Sequence, residues 1–170
     1  SMDSGPTLLA LDAEVRILGR QGLRTSSLSD FFVAPRKTSL NPDELLLEII
    51  IPKKSLRKPA SFIKFGLRKG QALALVNAAS ALWVDKNKFK DVRIALGAVA
   101  PVVIRATRAE AVLEGQTVSK ELIFEAAKIA VGEAKPINDF RASKDYRNDL
   151  IEVGARRTLQ SALEASKKQS

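Results

Sequence analysis

Residues 61–115 read SFIKFGLRKGQALALVNAASALWVDKNKFKDVRIALGAVAPVVIRATRAEAVLEG, and the change of rhythm inside them decides the fold. Ile63, Phe65 and Leu67 alternate with Lys64, Gly66 and Arg68, the period of a strand with one buried face. Leu75 to Val84 and Val92 to Val99 are two further apolar runs of strand length. The polar turn Asp85 to Lys88 between them predicts a hairpin. After Pro101 the period becomes helical. Thr107 and Glu110 stand at capping-box spacing ahead of Val112 and Leu113, and Gly115 supplies a stop. Ser119 is placed to cap a second helix with Leu122, Ile123, Ala126, Ala127 and Ala130 on one stripe. Ser143 is placed to cap a third, with Asp145 in its first turn and a stripe of Tyr146, Leu150, Val153, Leu159, Ala162 and Leu163. Strands first and helices after predict an α+β fold. Its core is a three-stranded antiparallel sheet near residues 61–68, 75–85 and 91–99, with helices on one face.

Toward the amino terminus, Ala13, Val15 and Ile17 have strand spacing, and Gly19 to Gly22 closes that strand as a turn. Leu28 to Phe32 reads as a short helical turn capped by Ser27, and Asn41-Pro42-Asp43 as another turn. Leu45 to Ile51 is an apolar run broken only by Glu48 and stopped by Pro52, the pattern of a strand buried on both faces. The basic, proline-flanked stretch Lys53 to Pro59 predicts a boundary between a first unit, residues 3–55, and a second, residues 60–163.

Composition removes many functions. The 170 residues include no cysteine and no histidine. No disulfide, thiolate-ligated zinc or iron–sulfur cluster can be built from them, and no Ser-His-Asp or Cys-His nucleophile. No apolar run approaches the roughly 20 residues of a membrane span, and no signal peptide is visible, so a cytoplasmic location is expected. The net charge is +9. The basic residues are scattered and not interleaved with aromatics, so a solvated surface or a face for an acidic partner fits better than nucleic-acid binding. Gly19-Arg20-Gln21-Gly22 has the wrong spacing for a dinucleotide fingerprint, and no Walker loop is present. Asp12, Arg24, Asp30, Asp43, Glu44 and Asp145 suit turns and caps rather than a catalytic carboxylate pair. The residues therefore carry no stand-alone catalytic motif and no metal site.

Three stretches in a fixed order carry a resemblance: DSGPTLLALDAEVRIL (3–18), LSDFFVAPRKTSLNPDELLLEIIIP (28–52) and PINDFRASKDYRNDLIEVGARRTL (136–159). Together they resemble the back half of the flavin-carrying subunit of molybdenum hydroxylases, the xanthine dehydrogenase and carbon monoxide dehydrogenase medium-subunit family. The likeness runs from Asp3 to about Ala162. The family's glycine-rich loops, which hold the FAD pyrophosphate, precede the first stretch and have no counterpart in these residues. The expected fold is thus the end of an FAD-binding domain followed by a C-terminal lobe.

The resemblance implies FAD as cofactor and an electron-transfer role, with electrons passing from iron–sulfur clusters through FAD to an acceptor. It implies iron–sulfur and molybdenum subunits as partners. It places Asp3 near the cofactor, Ala72 and Leu73 against the flavin with Arg68 and Lys69 nearby, and Lys90 where animal-type xanthine dehydrogenases have a lysine that reaches it. RASKDYR (141–147) is expected to be scaffold and subunit contact, with Tyr146 pinning a helix to the sheet. Two other classes compete: a flavin-free lobe that docks on the iron–sulfur subunit, and, more weakly, a basic nucleic-acid-binding domain. Apolar residues at 7–18 and 45–51 are expected to lack part of their cover, favouring self-association or local disorder of the first unit.

Overall fold

The computed structural model describes residues 2–68, 70 and 72–168. At its centre lies an antiparallel sheet of β6 (Ala60–Gly66), β7 (Ala74–Asp85), β8 (Lys88–Gly97) and β9 (Ile104–Arg105), in that spatial order. The three long strands are those expected. The fourth has two residues, too short for any period to reveal. Lys86 and Asn87 close the β7–β8 hairpin at φ 48° and 59°, the left-handed conformation that two-residue hairpin turns require.

Helices α3 (Thr107–Leu113), α4 (Lys120–Val131) and α5 (Lys144–Lys167) cover one face. Val76, Ala78 and Leu82 of β7 and Val92, Ile94 and Leu96 of β8 meet Ile123, Ala127, Ile151, Ala155, Leu159 and Ala162 in one core. Gly154 lets α5 lie close: a Cβ there would sit 3.2 Å from the Phe65 ring and 3.3 Å from Ala78. The buried Ser80 and Thr158 hydroxyls pair at 2.7 Å. Ser119 and Ser143 cap α4 and α5 as expected, accepting from the Leu122 and Tyr146 amides.

Two local expectations are overturned. Thr107 and Glu110 form no capping box. The Glu133 carboxylate accepts from the amides of Arg108 and Ala109, each at 3.1 Å, while Glu110 turns to the sheet and accepts from Ile94 N–H at 2.9 Å. A carboxylate from the turn after α4 thus holds the α3 amides, leaving Glu110 to fix the sheet. Tyr146 does not pin α5, being half-exposed. Arg147 takes that place. Its guanidinium donates to the Leu75 carbonyl and, at 2.9 Å, to Asp139. These charge-assisted bonds hold the start of α5 to the sheet.

The opposite face is covered by residues from the amino-terminal part of the chain. Helix α1 (Ser4–Ala10) lays Leu9 and Ala10 over Ala79, Ala81 and Ala95, whose small side chains permit close approach. Ala13, Val15, Ile17, Leu28 and Phe31 complete this second core. An ion-pair cluster ties Asp12 and the segment 54–58 to strand β8. Asp12 accepts from Arg93 at 3.0 Å and Lys54 at 3.0 Å. Burial pushes its carboxyl up, but the bonds from Arg93 and Lys54 outweigh that and hold it below the ordinary value. Lys58 is buried along its whole side chain and bonds Asp91 at 2.9 Å. Burial drives its pKa down, against the opposing pull of Asp91.

A smaller sheet has the order β2-β1-β5, from β1 (Glu14–Gly19), β2 (Gly22–Ser27) and β5 (Leu45–Ile50). Between them α2 (Leu28–Phe31), capped by Ser27, leads into the short hairpin of β3 (Phe32–Ala34) and β4 (Lys37–Thr38). Here the reading of Leu45 to Ile51 as a strand buried on both faces fails, while the expected lack of cover over it is found. Leu45, Leu46, Leu47 and Ile49 are 67%, 41%, 51% and 45% exposed. β5 is an edge strand paired only to β1, with a register shift at Arg16/Ile17, and no described element covers it. The run Leu8 to Leu11, by contrast, is packed against the second core. Among the described residues no helix is long and apolar enough to cross a membrane.

Candidate functional site

Strand pairing sets Lys64, Asn77 and Gly97 in one row across β6, β7 and β8. The start of α1 sits over that row. Asp3, the residue before α1, accepts from Lys64 Nζ at 2.6 Å, and Asn77 Nδ2 approaches its other oxygen at 3.5 Å. Asn77 also donates to the Met2 carbonyl at 3.0 Å. Gly97 makes room for this arrangement. A Cβ there would fall 2.1 Å from Asn77 Oδ1 and 2.9 Å from Pro6. Asn77 Oδ1 is a buried acceptor without a hydrogen-bond partner among the described residues, which is uncommon in folded proteins.

Beside this row, Lys64, Gly66, Leu67, Arg68 and Ala72 line an open depression of about 490 Å³. Leu73 is half-exposed and precedes β7, so it is not a core strand residue. The structure therefore brings Asp3, Ala72 and Leu73 to one end of the sheet. Lys90 lies elsewhere. It pairs with Trp83 near the hairpin end of β8 and forms a 3.6 Å ion pair with Asp85. Roughly 23 Å of strand, at about 3.3 Å per residue, separates it from Gly97. Lys69 lies outside the described residues.

Sequence reasoning missed Lys64 and Asn77. A signal was present for each. Lys64 falls on the polar phase of the β6 alternation, so it points to the face opposite Ile63 and Phe65. Asn77 interrupts an apolar run and must find partners once buried. Which face would be covered by α1 could not be read from either.

Chemically the row offers a carboxylate, an ammonium and an amide, next to apolar Ala72 and Leu73. Such groups fit the hydroxyl and carbonyl edge of a nucleotide cofactor. They do not fit a pyrophosphate, which calls for converging backbone N–H groups at a glycine-rich turn or helix start. Gly19 and Gly22 instead flank the β1–β2 turn. No group of three or more potential metal ligands occurs among the described residues.

A family model described as CO dehydrogenase flavoprotein C-terminal domain matches residues 61–162. A second, described as FAD binding domain in molybdopterin dehydrogenase, matches residues 1–54. The chain belongs to the CO dehydrogenase flavoprotein family, and FAD is the cofactor these descriptions assign. The nicotine 6-hydroxylase medium subunit of Paenarthrobacter nicotinovorans is 33% identical over 89% of this chain and 53% of its own length. The xanthine dehydrogenase FAD-binding subunit of Escherichia coli O157:H7 is 26% identical over 98% and 57%. Among solved structures, carbon monoxide dehydrogenase from Hydrogenophaga pseudoflava superposes with a TM-score of 0.90 at 29% identity, covering 96% of this chain and 56% of that one. The chain thus spans little more than half the length of these relatives. The mixed fold with antiparallel sheets is that of the carbon monoxide dehydrogenase medium subunit, and no comparison favours a nucleic-acid-binding domain.

Proposed function

We propose that the chain is part of the flavin subunit of a molybdenum hydroxylase, a cytoplasmic enzyme in which electrons pass from iron–sulfur clusters through FAD to an acceptor. Iron–sulfur and molybdenum subunits are its proposed partners. The proposed division is the end of an FAD-binding domain at 3–55 and a flavoprotein C-terminal lobe at 60–163. The observation that carries the reading is the Asp3–Lys64–Asn77 row, which joins the segments matched by the two family models.

FAD, when bound, accepts electron pairs and returns them singly or together. This chain's residues contribute flanking contacts. Asp3 accepts hydrogen bonds from cofactor hydroxyls, and Lys64 both orients that carboxylate and offers positive charge. Ala72 and Leu73 border the ring and limit water access to it. Lys90 is a weaker candidate on geometry, because its strand end is remote from the row.

Titrating FAD into the 170-residue chain tests the assignment, with flavin fluorescence as the readout. Because the pyrophosphate cradle is not among these residues, affinity weaker than about 1 µM is expected. Tight one-to-one binding by this chain would show that the site is misplaced. An assembled enzyme that contains this chain and carries no flavin would overturn the function itself.

A further inference from the structure

Alternation along β7 turns residues 77, 79 and 81 to the face that α1 covers. Ala79 and Ala81 meet the helix with methyl groups, and packing alone would be served by a third small apolar residue. Asn77 stands there instead, wholly buried. Burying an amide costs free energy unless its polar atoms find partners. Only one end of this amide does. Nδ2 carries two N–H groups; it donates to the Met2 carbonyl at 3.0 Å and lies 3.5 Å from Asp3 Oδ1. Oδ1 has no partner among the described residues. Turning the amide over would set its oxygen against the Met2 carbonyl and the Asp3 carboxylate, so these two acceptors fix its orientation. Gly97 fixes its place, since a Cβ there would fall 2.1 Å from Asn77 Oδ1.

The half-exposed Asp3 carboxylate is thus supported from two strands. Lys64 Nζ bonds Oδ2 at 2.6 Å from β6. A lysine is a point charge on a flexible stem and sets no direction by itself. Asn77 is confined by burial and faces the other oxygen from β7, while gripping the backbone one residue earlier. At 3.5 Å its contact is too long to use up Oδ1, which keeps acceptor capacity for a donor arriving from solvent.

We propose that Asn77 is a positioning residue: through the Met2 carbonyl and Asp3 Oδ1 it aims the Asp3 carboxylate at hydroxyl groups of the bound cofactor, without touching the cofactor itself. The inference rests on the proposed function, in which Asp3 faces the cofactor, and adds the residue that sets its aim. An amide that merely anchored α1 to the sheet would cost stability when removed and leave cofactor affinity intact.

The test is a double-mutant cycle on the assembled enzyme that contains this chain, with the FAD dissociation constant read by flavin fluorescence. Asn77→Ser is expected to weaken FAD binding about tenfold, and Asp3→Ala about as much. In the Asp3→Ala background, Asn77→Ser is expected to change affinity less than about twofold, because the group it aims is gone. Asn77→Thr, which keeps a hydroxyl and suits a strand, is expected to match Asn77→Ser and replaces it where the serine variant does not assemble. Ser80→Ala is the control. It removes the buried 2.7 Å pair with Thr158 on the other face of β7, and should lower the melting temperature with FAD affinity unchanged. Wild-type affinity in Asn77→Ser, a tenfold loss that persists in the Asp3→Ala background, or an equal loss in Ser80→Ala overturns the positioning role while the function stands. Wild-type affinity in Asp3→Ala removes Asp3 from the proposed site, and the inference with it.

Discussion

Strands β7 and β5 look alike as sequence and behave oppositely in the fold. Both are largely apolar runs of strand length. In β7, Val76 and Leu82 are wholly buried, because α5 packs on one face and α1 on the other. In β5, Leu45 and Leu47 remain more than half exposed, because the strand has one neighbour and no cover. Hydrophobicity alone states a demand for burial, and the neighbours decide whether it is met. The contrast also sorts the molecule energetically. Stability concentrates in the two-sided central sheet, while the edge of the smaller sheet retains unpaired backbone groups and apolar area, the features that invite another strand.

The sharpest way to break that comparison is a pair of truncations. Leu96→Ala in β8 should cost about 4 kcal/mol, since its wholly buried side chain would leave a cavity. Leu47→Ala in β5 should cost under about 0.5 kcal/mol. Equal losses in urea denaturation would mean that β5 is covered in solution.

Next in size is the ion-pair cluster. Asp91→Ala leaves the Lys58 ammonium buried without its acceptor, at a cost of about 3 kcal/mol. Adding Lys58→Met should recover most of the loss. A double variant as unstable as Asp91→Ala would show that the ammonium was never the problem.

A smaller effect is expected from Glu44, which joins β2 to the turn before β5. Hydrogen bonds from Arg24, and then from the Asn41 amide, hold its carboxyl at about 2 against an ordinary 4.5. A depressed folded pKa means that the unfolded chain binds the proton more readily. The contribution is therefore complete above pH 4.5 and lost as pH falls toward 2. Glu44→Gln should flatten the melting temperature profile across that window relative to wild type. An identical acid profile would count against the ion pair.

The smallest effect on stability, and the most telling for association, concerns Leu47→Lys. We expect the isolated chain to self-associate through β5, and this variant to abolish it with a stability change within about 0.5 kcal/mol. Light scattering decides. A monomeric wild-type chain at high concentration would end the edge-strand argument.

Much of the fold was legible in the residues. The three long strands, their hairpin and the serine caps of α2, α4 and α5 follow from local period and short-range hydrogen bonding. The readings that failed involve partners distant in sequence. The α3 amides are bound by Glu133, 25 residues from Arg108. Tyr146 yields to Arg147, whose acceptor Leu75 is 72 residues away. The site divides in the same manner. Asp3, Ala72 and Leu73 came from resemblance and lie together. Lys64 and Asn77 joined them only when strand register and α1 were in place, and Lys90 was drawn away by its position at the far end of β8.

The sequence by itself determined the α+β order, the lack of thiol and imidazole chemistry, and the family of flavoproteins to which the chain belongs. These rest on residue type and spacing, which do not depend on folding. Tertiary structure alone decided that α1 covers the second face of the central sheet, that β5 is an uncovered edge, and that Asp3, Lys64 and Asn77 share one row. The physical reason is that period fixes which way a side chain points along its own strand or helix. What it meets there depends on packing between segments far apart in the chain, where burial and charge compete for the same space.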